Sequence, residues 1–126
     1  MEREAMSSER VLAGMPVADH DGATAWYARF FDRPADLAPM PGLAEWHLSP
    51  AGGVQVFYDA DHAGAATMTL GVADIDGYLA ALAERGISVG EATNGVISRF
   101  ASITDPEGNT IMVAELYAAV NQPDEA

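Results

Sequence analysis

The sequence contains no cysteine and no lysine, and it has no long apolar run. Without cysteine the chain cannot form disulfides, thiolate metal sites or a cysteine nucleophile. No apolar segment approaches the ~20 residues that a membrane-spanning helix needs, and the polar N-terminus lacks the apolar segment of a signal peptide. With no membrane-spanning run and no signal peptide, we expect a cytoplasmic protein with no membrane partner.

Positive charge is also scarce. Six cationic residues face nineteen acidic ones, which gives a formal net charge of −13. Nucleic-acid binding depends on cationic side chains that neutralise phosphates, so we expect no nucleic-acid partner. The same surface would attract a cationic partner, although acidity also serves solubility alone.

A six-residue pattern occurs twice in the chain. The segment VADHDG at 17–22 returns as VADIDG at 72–77. Each copy follows a short apolar run and precedes apolar residues spaced three and four positions apart, which is the pattern of one helix face. A repeat of this kind indicates a duplicated structural unit.

The predicted elements follow the same order in both halves. In each half a strand is followed by a helix and then by two or three short strands. Residues 34–43 hold three prolines and predict a loop. The predicted strands are 11–17, 45–49 and 54–59 in the first half, and 67–72, 88–92, 96–104 and 110–116 in the second. The fold class is therefore α+β, with two tandem βαβββ modules that form a concave curved sheet.

We expect the modules to share one domain, because about 55 residues bury too little surface to be stable alone. The domain is predicted to span 10–117, with modules at about 10–60 and 65–117. Residues 1–9 are predicted to be a polar N-terminal tail, and residues 118–126 a C-terminal tail.

Near the C-terminus, the segment Asp105-Pro106-Glu107-Gly108-Asn109 predicts a tight turn, since proline fixes φ and glycine and asparagine tolerate positive φ. Together with the Val-x-Asp starts at 17–19 and 72–74 and the aromatic pair at 26–27, this motif resembles the vicinal oxygen chelate superfamily. That superfamily includes glyoxalase I, extradiol dioxygenases, and the bleomycin- and fosfomycin-resistance proteins. The resemblance covers about residues 10 to 117 and implies paired βαβββ modules, usually in a homodimer.

In metal-dependent members, the resemblance implies four ligands on the concave face, typically His, Gln or Glu. The matching positions here are Leu12, Thr67, Met112 and Gln55, with Phe57 as the alternative to Gln55. Leucine and phenylalanine cannot bind a divalent cation, and the methionine thioether suits Cu(I). One amide oxygen does not make a site. We therefore expect a family member without the metal ligands, with no metal and no cofactor.

Strand alternation assigns further residues to the concave face. Strand 45–49 leaves two alternatives, in which either Trp46 and Leu48 or Glu45 and His47 point into the trough. An apolar and aromatic lining with neutral polar groups suits an aromatic or amphiphilic molecule, although the same aromatics could fill a small core. An aspartate near the rim would steer a cationic ligand. The predicted ligand-binding residues are Leu12, Gln55, Phe57, Asp59, Thr67, Thr69, Phe100, Ser102 and Met112, with Trp46 as a further candidate.

The sequence thus predicts metal-independent binding of a small aromatic or amphiphilic molecule in the trough between the modules. This function resembles that of antibiotic-sequestering resistance proteins, and we expect a homodimer that is not an enzyme. The alternative is a glyoxalase-like isomerase or lyase acting on a small metabolite. Its candidate catalytic residues are His47 and Glu45, because a neighbouring carboxylate orients a histidine and raises its pKa. Half-exposed strand polarity explains the same pair of residues.

Overall fold

The computed structural model describes residues 8–118 of the chain. The predicted N-terminal tail, apart from residues 8 and 9, and the predicted C-terminal tail, apart from residue 118, lie outside the described residues. Between 8 and 118, no helix is long and apolar enough to cross a membrane.

The described residues form two four-stranded sheets and two helices. The strand orders are β1-β4-β3-β2 and β5-β8-β7-β6. In each sheet the first strand runs parallel to the last, and the other neighbours are antiparallel. The elements are β1 (Val11–Val17), α1 (His20–Phe31), β2 (Leu37–Met40), β3 (Leu43–Ser49), β4 (Gly52–Tyr58), β5 (Thr67–Gly71), α2 (Ile75–Glu84), β6 (Thr93–Asn94), β7 (Ser98–Thr104) and β8 (Thr110–Leu116). Two tandem βαβββ modules, as predicted, are confirmed; the first comprises β1 to β4 with α1, and the second β5 to β8 with α2.

The repeated six-residue pattern is the start of each helix. The Asp19 carboxylate accepts a hydrogen bond from the Gly22 N–H, and the Asp74 carboxylate accepts one from the Gly77 N–H, both at 3.1 Å. A Cβ atom on Gly22 would lie 2.4 Å from the Asp19 carboxylate, and one on Gly77 would lie 2.6 Å from that of Asp74. The glycines therefore let each capping carboxylate approach the backbone.

The helices share one aromatic core with the sheets. Tyr27 and Phe30 of α1 and Trp46 of β3 are fully buried. The rings of Tyr27 and Trp46 lie 6.1 Å apart, and the ring of Phe30 lies 6.3 Å from that of Tyr78 on α2. Both modules thus contribute to a single core, which agrees with the small size of each one.

The turn between β7 and β8 joins the second module to the first. Asp105 accepts a hydrogen bond from the Tyr27 hydroxyl at 2.7 Å, and the Asn109 amide donates to the Pro16 carbonyl at 2.8 Å. The Glu107 carboxylate accepts from the two backbone N–H groups that precede α1, at 3.1 and 2.9 Å. The turn motif therefore holds the two modules together.

Two local predictions differ from the structure. The predicted loop 34–43 contains β2, an edge strand in which Pro39 falls within a register irregularity, where a missing N–H costs no ladder bond. The strand predicted at 88–92 is wrong, since none of these five residues is in a strand; the two-residue strand β6, which pairs with β7, begins only at Thr93. Gly90 weakens that segment as a strand, and its Val89 packs against the core without joining the sheet.

Candidate functional site

Each sheet packs one face against the helices and leaves the other face open. Val54 and Val56 of β4 and Ile111 and Val113 of β8 are buried in the core. The residues that alternate with them point to the opposite side. We call this side the open face of each sheet, and it corresponds to the concave face of the sequence analysis.

The predicted lining residues other than Trp46 alternate onto the open faces. Cross-strand pairs such as Thr69 with Met112 and Ser102 with Met112 place the second module's residues side by side. The first sheet carries Leu12, Gln55 and Phe57, with Asp59 directly after β4; the second carries Thr67, Thr69, Phe100, Ser102 and Met112. The apolar members and Gln55 are half-buried, whereas the hydroxyl-bearing residues are exposed. Whether these residues bind a ligand stays a prediction.

Trp46 is the exception, and its assignment to the trough is corrected. It is fully buried, its ring lies 6.1 Å from that of Tyr27, and its Nε1 donates to the Arg33 carbonyl at 3.0 Å. The indole therefore faces α1. Because side chains alternate along a strand, Glu45 and His47 point to the open face instead.

Each open face carries one phenylalanine ring beside a glycine. A Cβ atom on Gly14 would lie 3.1 Å from the Phe57 ring, and one on Gly95 would lie 2.9 Å from the Phe100 ring. The rings thus pack directly onto backbone that has no side chain. A larger residue at either glycine would push the aromatic ring away from the sheet.

A hydrogen-bonded polar cluster lies on the open face of the first sheet. A ring nitrogen of His47 lies 3.1 Å from one Glu45 carboxylate oxygen, and the Gln55 amide donates to the other at 2.9 Å. Glu45 is only 8% exposed. The hydrogen bonds from Gln55 and then from His47 lower the pKa of the Glu45 carboxyl, so it is ionised at neutral pH.

Arg33 and Asp36 bind the backbone of His47 and form what we call the backbone clamp. Asp36 accepts hydrogen bonds from the His47 backbone N–H at 2.7 Å and from the Arg33 guanidinium at 2.8 Å. Arg33 also donates to the His47 carbonyl at 2.6 Å. The bond from the His47 N–H, and then that from Arg33, lower the pKa of Asp36. The sequence analysis did not predict the backbone clamp. The three-residue spacing of Arg33 and Asp36 gives no sign that both bind the backbone of His47 on β3.

The side chains at the four ligand positions that the resemblance implies do not supply the donors that a divalent cation needs. Leu12, Thr67 and Met112 offer no carboxylate or imidazole, and Gln55 offers one amide oxygen, its nitrogen being the donor to Glu45. Across residues 8–118, no three His, Cys, Asp or Glu side chains lie close enough together to hold a metal ion.

A cavity of about 430 Å³ lies between the first strands of the two modules. It is bordered by Val11 and Ala13 of β1, by residues 68–71 of β5 and by the adjoining ends of β3 and β4. Of the predicted lining residues, only Thr69 borders this cavity. The phenylalanines of the open faces lie outside its lining.

The fold is shared with several solved structures. A glyoxalase / bleomycin resistance protein from Catenulispora acidiphila DSM 44928 is 29% identical with a TM-score of 0.81, over 87% of this chain and 100% of that one. TnmS3, an antibiotic binding protein from Streptomyces sp. CB03234, is 24% identical with a TM-score of 0.70, over 89% and 98%. A bleomycin-binding protein complexed with bleomycin is 15% identical with a TM-score of 0.67, over 86% and 99%.

The sequence comparisons give the family. A comparison with curated protein sequences finds no significant match. The family profile, in contrast, matches residues 9–113, which is most of the chain. The chain therefore belongs to the Glyoxalase/Bleomycin resistance protein/Dioxygenase superfamily.

Proposed function

We propose that the chain binds a small aromatic or amphiphilic organic molecule on its open faces, without a metal ion. One observation carries the proposal. Leu12, Phe57, Phe100 and Met112 are half-buried on faces that point away from the core. Burying the rest of their apolar surface against a ligand would be favourable by about 25 cal/mol per Å².

The polar groups of the open faces support a ligand with a cationic end. Glu45 is ionised, and each of its carboxylate oxygens has one hydrogen-bond partner, His47 or Gln55, which fixes the orientation of the carboxylate. The hydroxyls of Thr67, Thr69 and Ser102 would supply neutral hydrogen bonds that orient a ligand. The net charge of −13 would raise the local concentration of a cation near the protein.

The related structures support the capacity of the fold to hold such ligands. One is described as an antibiotic binding protein and another is complexed with bleomycin. At 24% and 15% identity these proteins share the fold, and the ligand of the present chain is determined by its own open faces.

The site as proposed is completed by a second copy of the chain. In one copy the cavity between the sheets borders only one predicted lining residue, Thr69. A second copy laid on the open faces would cover Phe57, Phe100 and Met112 and enclose a pocket. We therefore propose a homodimer, to be checked by sedimentation of the purified chain.

The binding proposal is tested by removing one aromatic ring from each open face. Phe57→Ala or Phe100→Ala should weaken binding of an aromatic cationic probe such as bleomycin by about 1–3 kcal/mol, the scale of a lost aromatic contact. Titration calorimetry gives the affinities. Tyr58→Ala is the matched control, because Tyr58 adjoins Phe57 on the same strand, is 60% exposed and alternates to the other side. Unchanged affinity in both phenylalanine variants, or an equal loss in Tyr58→Ala, would contradict the proposed site.

A second candidate function is metal-independent acid–base chemistry, as in an isomerase or lyase. The observation that favours it is the 3.1 Å contact between His47 and the ionised Glu45 on the open face. The carboxylate would orient the ring, and the backbone clamp would fix the main chain that carries it.

The enzymatic candidate is tested with His47→Ala. If the ring transfers protons, this variant should lose about 100-fold or more in turnover of any substrate found by activity screening. Gln55→Ala, which removes only the neighbouring hydrogen bond, should lose less. Wild-type turnover in His47→Ala, assayed alongside retained ligand affinity, would exclude the acid–base function and leave the binding function standing.

A further inference from the structure

A shallow depression at the ends of the two helices contains an unusual share of the positive charge. It measures about 500 Å³ and lies where α1 and α2 end. Three of the chain's six cationic residues line it, with a single acidic residue among nineteen. The lining residues are Ala28, Arg29, Asp32, Arg33, Pro34 and Arg85.

The arginines have structural roles that use only some of their donors. Arg85 donates from Nη1 to the Phe30 carbonyl at 2.6 Å, and Arg33 donates from Nη2 to Asp36 and to the His47 carbonyl. Each guanidinium has five N–H donors. Among residues 8–118, Arg29 makes no side-chain hydrogen bond, so most donors of the three residues are available to a ligand.

The two helix ends bring the guanidinium groups towards each other. Arg85 reaches from the end of α2 to the last turn of α1. In the other direction, Nη1 of Arg29 lies 3.3 Å from the position that a Cβ atom on Gly86 would occupy. The Arg29 side chain therefore lies over the turn that follows α2. Helix capping explains one bond of Arg85. The negative end of the helix dipole also favours a cation such as Arg29 in the last turn of α1, but that attraction uses none of the Arg29 donors in a hydrogen bond.

We propose that this depression binds the phosphate group of a small phosphorylated metabolite. Guanidinium groups recognise phosphate and carboxylate oxygens by paired hydrogen bonds, and a dianion with three terminal oxygens matches three arginines better than a single carboxylate does. The lining contains one acidic residue, Asp32, whose side chain is 76% exposed. Its carboxylate comes no closer than 4.0 Å to Arg85, so this contact is loose and the side chain can turn away into solvent.

A compact ligand is favoured over a polyanion by the charge of the whole chain. At physiological ionic strength a charge is screened beyond about 8 Å, so a small phosphate would feel mainly the nearby groups. These are the three arginines, offset in part by Asp32 and by Asp36, which pairs with Arg33 at 2.8 Å. A nucleic acid or an acidic membrane would extend past the depression onto a surface with a net charge of −13. Long-range repulsion would oppose both of these partners.

The experiment is a titration of the full chain with inorganic phosphate at physiological ionic strength, where the net charge of the chain is screened, followed by NMR of the arginine Nε–Hε groups. Saturable shifts are expected for Arg29, Arg33 and Arg85, and not for Arg99, which already pairs with Asp76. Arg29→Gln should weaken phosphate binding at least about fivefold, as expected for loss of one exposed charge contact. Arg29 is exposed, so the variant should remain folded.

Two controls keep the test specific. Arg10→Gln removes the same charge from the chain outside the depression and should leave phosphate affinity unchanged. Succinate, the carboxylate probe, should bind more weakly than phosphate, whereas glycerol phosphate should bind at least as tightly as phosphate. Absence of saturable shifts, an equal loss in Arg10→Gln and Arg29→Gln, or tighter binding of succinate would overturn the proposal.

Discussion

Replacing Asp105 by alanine should lower the free energy of unfolding by about 4 kcal/mol. The Asp105 carboxylate is 3% exposed and accepts four hydrogen bonds, from the Tyr27 hydroxyl, the Glu107 N–H, and the N–H and side-chain amide of Asn109. Truncation would leave at least two buried donors without this partner, at about 2 kcal/mol each. Burial, and next the bond to Asp105, raise the pKa of Tyr27, so its hydroxyl keeps its proton.

Urea denaturation of wild type and variants measures this loss. Tyr27→Phe removes one of the four bonds and should cost about 1.5–3 kcal/mol, less than Asp105→Ala. A double variant should lose less than the sum of the two single losses, because the residues share a bond. Asp76→Ala is the matched control, since that carboxylate is 68% exposed in its pair with Arg99 and should contribute little. If Asp105→Ala unfolded at the same urea concentration as Asp76→Ala, the turn would not be what joins the modules.

The elements of the fold that local chemistry determines could be predicted from the sequence. The repeated six-residue pattern and the apolar spacing after it predicted both helices. The structure shows that their starts depend on contacts within three residues, from Gly22 to Asp19 and from Gly77 to Asp74. The period of two along a strand likewise placed Phe57, Phe100 and Met112 on one side. These predictions needed no knowledge of which strands are neighbours.

The parts of the candidate site that depend on strand pairing could not be predicted. Glu45 and Trp46 are adjacent on β3, and the sequence alone did not decide which of the two points towards the helices. The orientation of β3 is set by packing against α1. The indole of Trp46 packs near the ring of Tyr27, so the side chain of Glu45 points to the other side of the sheet. The bond from Gln55 to Glu45 spans two strands, and the Asp36 bond to the His47 N–H joins two elements. Such tertiary contacts have no signal in residue spacing.

Trp46→Ala should be the most destabilising substitution on β3, with a loss of about 3–5 kcal/mol, because it leaves a cavity in the core beside Tyr27. The substitution also removes the indole N–H that donates to the Arg33 carbonyl, which is then left without this hydrogen bond. Phe57→Ala, on the open face, should cost only about 1 kcal/mol, since its ring is already half-exposed in the single chain.

The contrast between these two aromatics separates packing from ligand binding. Trp46→Phe keeps a ring in the core, so it should fold and bind an aromatic probe with wild-type affinity while it loses stability. Phe57→Ala should do the reverse, losing affinity with little change in stability. Thermal unfolding and calorimetric titration of both variants measure the two effects. A large loss of affinity in Trp46→Phe would mean that the ligand reaches the helix side of the sheet, and the open face would then not be the site.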